Sequence, residues 1–541
     1  MRETPVLIAG GGPVGMMLAR ELAWRGIDCM LAERNATTTR HPKMDITNGR
    51  TMEHFRRLGM IDRIRAAAVP ESQPFDVAWI TNMSGHEVAR FSYPNVTEAR
   101  RIIRYVNDGS QPLEPDMRVS QVVLEPVLKS FLDEDPRVDV RFGWAFVEHE
   151  QDDEGVTATL RNSETGEEEQ VRCLYLAGCD GGGSVVRGQL GIGLDGIDSV
   201  GTMYMVHFRS EALDVLQRWG VAWHYQSIHG TMIAQNDRDI WTIHTPVPPG
   251  IDPDSVDPHQ ILRTFAGTDF DYEILVSNAW TPRLLLAERY SQGRVFLAGD
   301  ACHQYVPTGG YGMNTGMGDA VDLGWKLAAT LQGWGGPGLL ASYEPERHPV
   351  GERNRKGSER HVGIRLEIAA AYLAEDAEYP AGKDARKRLG EKIIELGNAE
   401  NEALGIEIGY RYDDSPLICH DSGEPPAYDP IEYQPSTWPG ARLPSVFLED
   451  GLAVFDLLGP GFTLIAFGEI DSGSWESAAA RSGVPFSIVR LEEAAVRAVY
   501  GRDYLLVRPD QHVCWRGDSL PEQPSTILDR VSGHYATSHS G

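Results

Sequence analysis

The apolar run "PVLIA" at residues 5–9 ends in Gly10-x-Gly12-x-x-Gly15; Val14, Leu18 and Leu22 then follow four apart, and a further apolar run closes on Glu33. Strand, tight turn, helix and strand in that order predict a dinucleotide-binding unit at the head of the chain. Gly10 permits the turn, Gly12 lets backbone amides approach a pyrophosphate, and Gly15 lets helix and strand pack closely. Pro13 and the helix start sit between them, with the positive end of the helix facing the anion. Glu33 lies eighteen residues beyond Gly15, where a carboxylate accepts hydrogen bonds from ribose hydroxyls and repels a 2′-phosphate. The expected ligand is therefore FAD or NAD rather than NADP.

A chain of 541 residues exceeds what one core supports, so two or three packed units are expected. Its formal charge of −28 repels phosphate backbones and anionic lipid, which argues against nucleic acid and membrane partners. The six cysteines are scattered without a Cys-x-x-Cys pair, giving neither a zinc knuckle nor a disulfide framework. No run approaches a membrane span, and the expectation is a cytoplasmic protein. The adjacent Cys302-His303 has no further ligands spaced to complete a metal site, so none is expected.

Two later apolar runs also end in acid and glycine: "LYLAGCDGGG" with Asp180, and "RVFLAGDACH" with Gly299 and Asp300. An acid at the carboxyl end of a parallel strand faces the crevice where α/β proteins bind ligands. "GGYGMNTGMG" (309–318) puts five glycines in ten residues ahead of a helix expected over "DAVDLGWKLA". Strands are expected at 201–209 and in a hairpin over 231–245 turning at Asn236 to Asp239. Residues 361 to about 408 suggest a helical pair, broken only near Pro380 and Gly382. Six prolines between Asp421 and Pro444 predict a surface-hugging connector, and fresh strands follow at 461–468 and 503–517.

These four motifs, together with "SYEPERHPV" (342–350), resemble the single-component FAD-dependent aromatic hydroxylases, near the phenol hydroxylase branch. The resemblance implies an α/β architecture. A Rossmann-like FAD-binding domain of glutathione reductase type would comprise residues 1–190 and 285–400, with residues about 70–110 partly in the substrate domain. An inserted β-sheet substrate domain (191–284), a connector (401–444) and a small thioredoxin-like domain (445–541) would complete it. The last lacks Cys-x-x-Cys, so dithiol exchange is excluded; in relatives such tails brace the catalytic part or the dimer. A homodimer is the expected assembly.

The resemblance also implies FAD held by Gly10, Gly12, Pro13, Gly15, Glu33, Gln121, Gly299 and Asp300, with Arg34, Arg40, Lys43 or Arg118 near the phosphates. Asp180 is linked in the family to FAD and nicotinamide, or else caps the next helix. A single adenosine fingerprint means that NADH or NADPH docks transiently against the flavin. Bare backbone at Gly310 and Gly312 would let amides of Gly312, Met313 and Asn314 reach the flavin's pyrimidine edge, where the helix's positive end favours the reduced ring. Pro307 would border the oxygen-reacting edge.

The family reaction reduces FAD with a nicotinamide, forms a flavin hydroperoxide from O₂, and passes its distal hydroxyl to an electron-rich ring. Asp45, five positions before Arg50-Thr51 in "DITNGRT", matches a phenol hydroxylase pattern in which the acid faces the substrate hydroxyl and acts as base. A phenol near pKa 10 and a carboxylate near 4 are mismatched by roughly six units, so the pocket must raise one or lower the other; the competing role is an acid that caps or pairs with Lys43 or Arg50. From the inserted sheet, His207, Trp223, His224, Tyr225 and His244 are substrate candidates, but alternation does not say which face is the pocket. The expected activity is ortho hydroxylation of a small phenol, as in aromatic catabolism, and the alternative is a tailoring oxygenase acting on a polycyclic. A flavin halogenase lacks its Trp-x-Trp-x-Ile-Pro segment here, a simple nicotinamide dehydrogenase conflicts with the Gly299-Asp300 segment, and a non-catalytic flavin scaffold is the remote reading.

Overall fold

The computed structural model describes residues 1–374, 382–470 and 472–535. Strand β1 (Arg2–Ala9) lies at the centre of a sheet, flanked in parallel by Glu168–Gly178 and by β2 (Cys29–Glu33). Val295–Leu297 and Val138–Phe142 extend the parallel set on either side. Covered on both faces, such strands read as unbroken apolar runs, and Val6, Leu7, Ile8 and Ala9 are wholly buried. Helix α1 (Pro13–Trp24) packs on one face through Met16, Met17, Leu18 and Leu22.

A seven-stranded sheet forms the second layer, in the order Glu273–Trp280, Thr202–Arg209, Ile240–Val247, Gly230–Ala234, His224–Ser227, Val77–Ile80, Glu87–Phe91. Its last two strands come from the stretch between β2 and the rest of the parallel sheet. The expected hairpin is present, with Asn236 Oδ1 accepting from the amides of Arg238, Asp239 and Ile240. Cross-strand register resolves the two faces. Tyr225, Met232, Ile243 and Val206 face Leu262 and Phe265 in an apolar core. His224, Ile233, Thr242 and His207 are paired across the opposite face, with Met205 and His244 one step along. Tyr225 is consequently a core residue, fully buried with its hydroxyl donating to the Gly220 carbonyl at 2.6 Å, and the expectation that it contacts substrate is corrected.

The glycine-rich segment differs from its sequence reading. Its helix spans Tyr311–Leu331, so "GGYGMNTGMG" is mostly the helix's first two turns. Gly310, at φ +66°, is the N-cap, and a β-carbon there would fall 2.3 Å from Ile46. A β-carbon on Gly316 would meet Val14 at 2.5 Å, and one on Gly318 the Arg347 guanidinium at 2.8 Å. Packing and turn geometry thus explain most of these glycines; Gly312 alone among the five has nothing within 4 Å of where a β-carbon would stand. "YEPERHPV" opens the long helix Tyr343–Ala374, which with Lys383–Leu396 realises the expected helical pair from an earlier start; Pro380 lies outside the described residues.

The chain closes on a four-stranded mixed sheet, Phe486–Arg490, Phe462–Ala466, Tyr504–Val507, Val513–Gly517. The proline-rich connector does not stay at the surface, for residues 437–446 are buried. There Arg442 donates from Nε to Glu53 of helix α2 (Gly49–Arg57) at 2.9 Å. The tip of the last hairpin enters between the helices Tyr311–Leu331 and Tyr343–Ala374. Arg508 forks onto Glu346 at 2.7 and 2.8 Å and onto Asp510, while Lys326 joins Glu346 and Asp322, each at 2.7 Å. Among the described residues no helix is long and apolar enough to cross a membrane, and no cluster of His, Cys, Asp or Glu could hold a metal ion.

Removing one member of a buried ion network leaves the others uncompensated. Arg508→Met is expected to lower unfolding free energy by about 3–5 kcal/mol, read from the chemical denaturation midpoint. A loss below about 1 kcal/mol would show that Glu346 and Asp510 are sufficiently compensated without Arg508.

Candidate functional site

At the fingerprint turn Gly10 adopts φ +112°, where a β-carbon would stand 2.2 Å from the Cys179 carbonyl oxygen; one on Gly15 would stand 2.0 Å from that of Gly10. Gly12 caps α1 with extended backbone, Pro13 takes the first helical position, and a β-carbon on Gly12 meets nothing within 4 Å. The unpaired amides of the first turn of α1 therefore face open space suited to an anion. Glu33 is fixed by the Gly11 amide on Oε2 and the Asn35 amide on Oε1, both 2.8 Å, leaving lone pairs for hydroxyl donors. Arg34, Arg40 and Lys43 are exposed on the loop that follows.

Other predicted cofactor residues have duties within the protein. Asp180 accepts from Ser184 Oγ and from the amides of Val185 and Val186, so it caps the helix Val185–Gln189. Gln121 Nε2 donates to Glu125 at 2.6 Å and its amide to the Met44 carbonyl at 2.9 Å. Arg118 spends its guanidinium on the carbonyls of Ala234 (2.6 Å) and Pro74 (3.1 Å), tying the short strand Met117–Arg118 to the seven-stranded sheet, and burial lowers its pKa to about 10.

At the second end, Gly299 donates its amide to Asp319 Oδ2 at 3.1 Å, and Asp319 also receives His303 Nε2 and Arg347 Nε, each at 2.8 Å. This buried triad fixes the turn from which Asp300 projects. Asp300 is exposed yet ringed closely enough by protein that burial raises its carboxyl pKa, as in a deep cleft. Pro307 is exposed, and its carbonyl accepts the Gly310 amide at 3.0 Å. The first-turn amides of Tyr311, Gly312 and Met313 are unpaired by helix geometry.

Asn314 does something no sequence pattern suggested. Its Oδ1 accepts from the Asn48 amide (3.1 Å) and Thr51 Oγ1 (2.8 Å), and its Nδ2 donates to the carbonyls of Gly310 (2.7 Å) and Ile46 (3.3 Å). One amide thereby ties the glycine-rich helix to the segment carrying Asp45. Ile46–Thr47 pairs with Met117–Arg118, and the Asp45 carbonyl accepts the Val119 amide at 2.9 Å. The Asp45 carboxylate accepts the Trp223 indole N–H and lies 3.9 Å from His224 Nε2, its side chain only 15% exposed. It pairs with neither Lys43 nor Arg50; the latter is held by Glu53, Gln511 and the Asp510 carbonyl.

Burial pushes the Asp45 carboxyl up, against the opposing pull of the Trp223 N–H and the Arg118 charge. Burial lowers the pKa of His207 and His244 to about 4 and that of His224 well below its ordinary value. The three pocket-face histidines are therefore neutral near pH 7. His207 bonds Thr242 at 2.9 Å, whereas both His224 ring nitrogens have no protein partner. Two glycine-lined helix ends, an acid on each strand end and a desolvated carboxylate between them suit a long dinucleotide and an aromatic hydroxyl.

Residues 3–358 match the family described as FAD binding domain, and residues 436–534 match that described as aromatic-ring hydroxylase, C-terminal. The chain belongs to the FAD-dependent aromatic-ring hydroxylases. An FAD-dependent monooxygenase, apdD, of Emericella nidulans is 40% identical over 99% of this chain and 91% of its own length. Phenol 2-monooxygenase of a Pseudomonas species is 31% identical over 98% and 93%. The rebeccamycin biosynthetic enzyme RebC, solved with reduced flavin, superposes with a TM-score of 0.88 at 35% identity over 99% of both chains. As a hydroxylase of this family the protein uses FAD, and monooxygenation implies a nicotinamide reductant and O₂. The open positions at Gly12 and Gly312 and the cleft-facing Asp300 fit that cofactor.

A donor to a carboxylate favours its charged form, so losing the donor raises the carboxyl pKa. With Asp45 as the proposed base, Trp223→Phe should therefore move the acid limb of the pH–rate profile to higher pH while FAD remains bound. An unmoved acid limb would remove Trp223 from the control of Asp45.

Proposed function

We propose that this hydroxylase acts on phenolic aromatic rings, adding oxygen ortho to an existing hydroxyl, with Asp45 as the group that takes the hydroxyl proton. The observation that supports this best is the placement of a buried, indole-bonded carboxylate beside neutral His224, tied through Asn314 to the helix whose free amides would meet the flavin. Bound FAD supplies the oxygen transfer. The protein's residues do the rest: Asp45 holds the proton, His224 orients the hydroxyl, and the sheet face excludes water so that charge moves into the ring. A phenolate feeds far more electron density to its ortho carbon than a phenol does, which is why a base is needed.

Gly10, Gly12, Pro13, Gly15 and Glu33 would hold the adenosine and pyrophosphate, and Asp300 the ribityl chain; Gly312 and Met313 amides would meet the pyrimidine edge, and Pro307 would border the oxygen side. Glutathione reductase-type and thioredoxin-like descriptions of the two α/β parts are consistent with the parallel sheet and with the final mixed sheet. A second reading, tailoring of an extended polycyclic compound, is favoured by the breadth of the pocket face, which crosses five strands, or roughly 20 Å. The likeness to an enzyme named for rebeccamycin biosynthesis supports it too.

Asp45→Asn is expected to retain FAD and to lower hydroxylation at neutral pH by about 100-fold or more, assayed as product formed per reductant consumed with a phenol. Activity should recover as pH approaches the phenol's own pKa near 10, because the substrate then ionises unaided. Equal yield in the variant at pH 7 would take Asp45 out of the mechanism.

A further inference from the structure

The face that carries His224 does not end there. On the next row along the strands, His244 pairs in register with Met205, Met205 with Asn278, and Met203 beside it with Trp280. The Trp280 ring stands edge-on to His244, with centroids 5.6 Å apart and planes at 87°. Met203, Met205, His244, Asn278 and Trp280 therefore share one face of the sheet, with the indole set against the imidazole. Trp280 Nε1, His244 Nδ1 and Asn278 Oδ1 are each shielded from solvent and have no hydrogen-bond partner within the protein. Asn278 is oriented, for its Nδ2 donates to the Ala279 carbonyl at 3.1 Å. Buried polar groups in folded chains are ordinarily satisfied, so three on one patch mark a place built for an outside partner.

We propose that His244, Asn278 and Trp280 form a second polar anchor, which binds a neutral carbonyl or hydroxyl at the far end of an extended aromatic substrate. The proposal rests on the reading that Asp45 and His224 receive the near-end hydroxyl.

The chemistry of the patch fixes the class of group. Trp280 offers a donor, Asn278 an acceptor and His244 either one, according to tautomer. Burial keeps His244 neutral, with its pKa lowered to about 4. Arg365, a cation on this side of the sheet, is spent on Glu400 at 2.6 and 3.1 Å and on Thr231. Among the described residues no Lys or Arg charge acts on His244, so a carboxylate would find no free counter-charge beside it, whereas a ketone, quinone or hydroxyl finds its complement. The span follows from strand geometry: His224 and His244 are two strands and one two-residue step apart, about 12 Å. A single phenol ring cannot bridge that; two or more linked or fused rings can. The anchor then selects among phenols by what they carry opposite the reacting hydroxyl.

The test uses the FAD-loaded full chain and a matched pair of ligands, 4-hydroxychalcone, which carries a neutral carbonyl, and 4-hydroxystilbene, which lacks it. Dissociation constants are read from perturbation of the bound flavin's absorbance, without turnover. The parent protein is expected to bind the chalcone about tenfold more tightly than the stilbene, the worth of one or two neutral hydrogen bonds. Trp280→Phe and His244→Leu, which remove the two groups able to donate to a carbonyl, should each erode that preference to about twofold or less and leave the stilbene's affinity unchanged. Equal binding of the two ligands by the parent, or a preference that survives both substitutions, overturns the anchor. Should Trp280→Phe fail to fold, judged by its melting temperature, His244→Leu alone decides. Because binding is read without chemistry, an unaltered Asp45→Asn enzyme would defeat the reading of the base while leaving this result standing.

Discussion

Two helices touch because one of them has no side chain in the way. Gly316 of the glycine-rich helix meets Val14 of α1, and two turns later Gly324 meets Leu18 and Glu21. Residue numbers rise together along the contact, so the helices run parallel and their N-terminal ends emerge on the same side. Each end carries roughly half a positive charge in unpaired amides. In a chain of net charge −28 this turns two local positive ends to the same side. An anion bound at one and an electron-rich ring at the other are stabilised by geometry that no surface charge screens. Asp319 secures the arrangement from behind: Arg347 reaches it from the long helix and Gly299 from the strand end, so moving either would unseat the turn bearing Asp300.

The terminal sheet belongs to the same construction. Lys326, Arg508, Arg50 and Arg442 interlock with Asp322, Glu346, Asp510 and Glu53, four cations against four anions, all buried. Such networks rarely add stability over apolar packing; they penalise any register but one. Gln511 makes the point locally. It adopts φ +69°, a left-handed conformation that disfavours a side chain, and its amide oxygen accepts Arg50 Nη1 at 2.7 Å. Glycine would suit the backbone better and would release Arg50. The hairpin tip thus sets the first turn of α2, whose N-cap Asn48 is bonded to Asn314.

What could be read in the sequence was whatever depends on neighbours along the chain. Gly10, Gly12, Gly15 and Glu33 lie within one βαβ unit, so spacing determines their geometry. The insertion's hairpin was legible for the same reason. The pocket face was not, because period-two alternation offers two equivalent faces until a helix covers one; Leu262 and Phe265 make Tyr225 core and leave His224 open. The glycine-rich helix was placed too late because its glycines read as a loop, although packing against Val14 and Arg347 makes them tolerable in a helix. Arg118, Asn314 and the ion network join residues tens to hundreds of positions apart, which no local pattern records. The connector's prolines exclude regular structure but say nothing of burial, which Arg442 and Glu53 decide.

In the proposed reaction, the gap of roughly six decades between a phenol and an ordinary carboxylate is narrowed from both sides by the same arrangement. Desolvation raises the Asp45 carboxyl, which makes it a better base than an exposed aspartate. Arg118, committed by its hydrogen bonds to backbone carbonyls, is a fixed cation whose field reaches Asp45. That field favours an anion on the substrate oxygen as it does on Asp45, so it eases ionisation of the phenol without taking the proton. The neutral histidines matter for the same reason: protonated, they would hold Asp45 ionised and weaken it as a base, and burial keeps them neutral. The Trp223 indole N–H, together with Arg118, restrains the rise of the carboxyl and so keeps Asp45 receptive to a proton without fixing it in the neutral form.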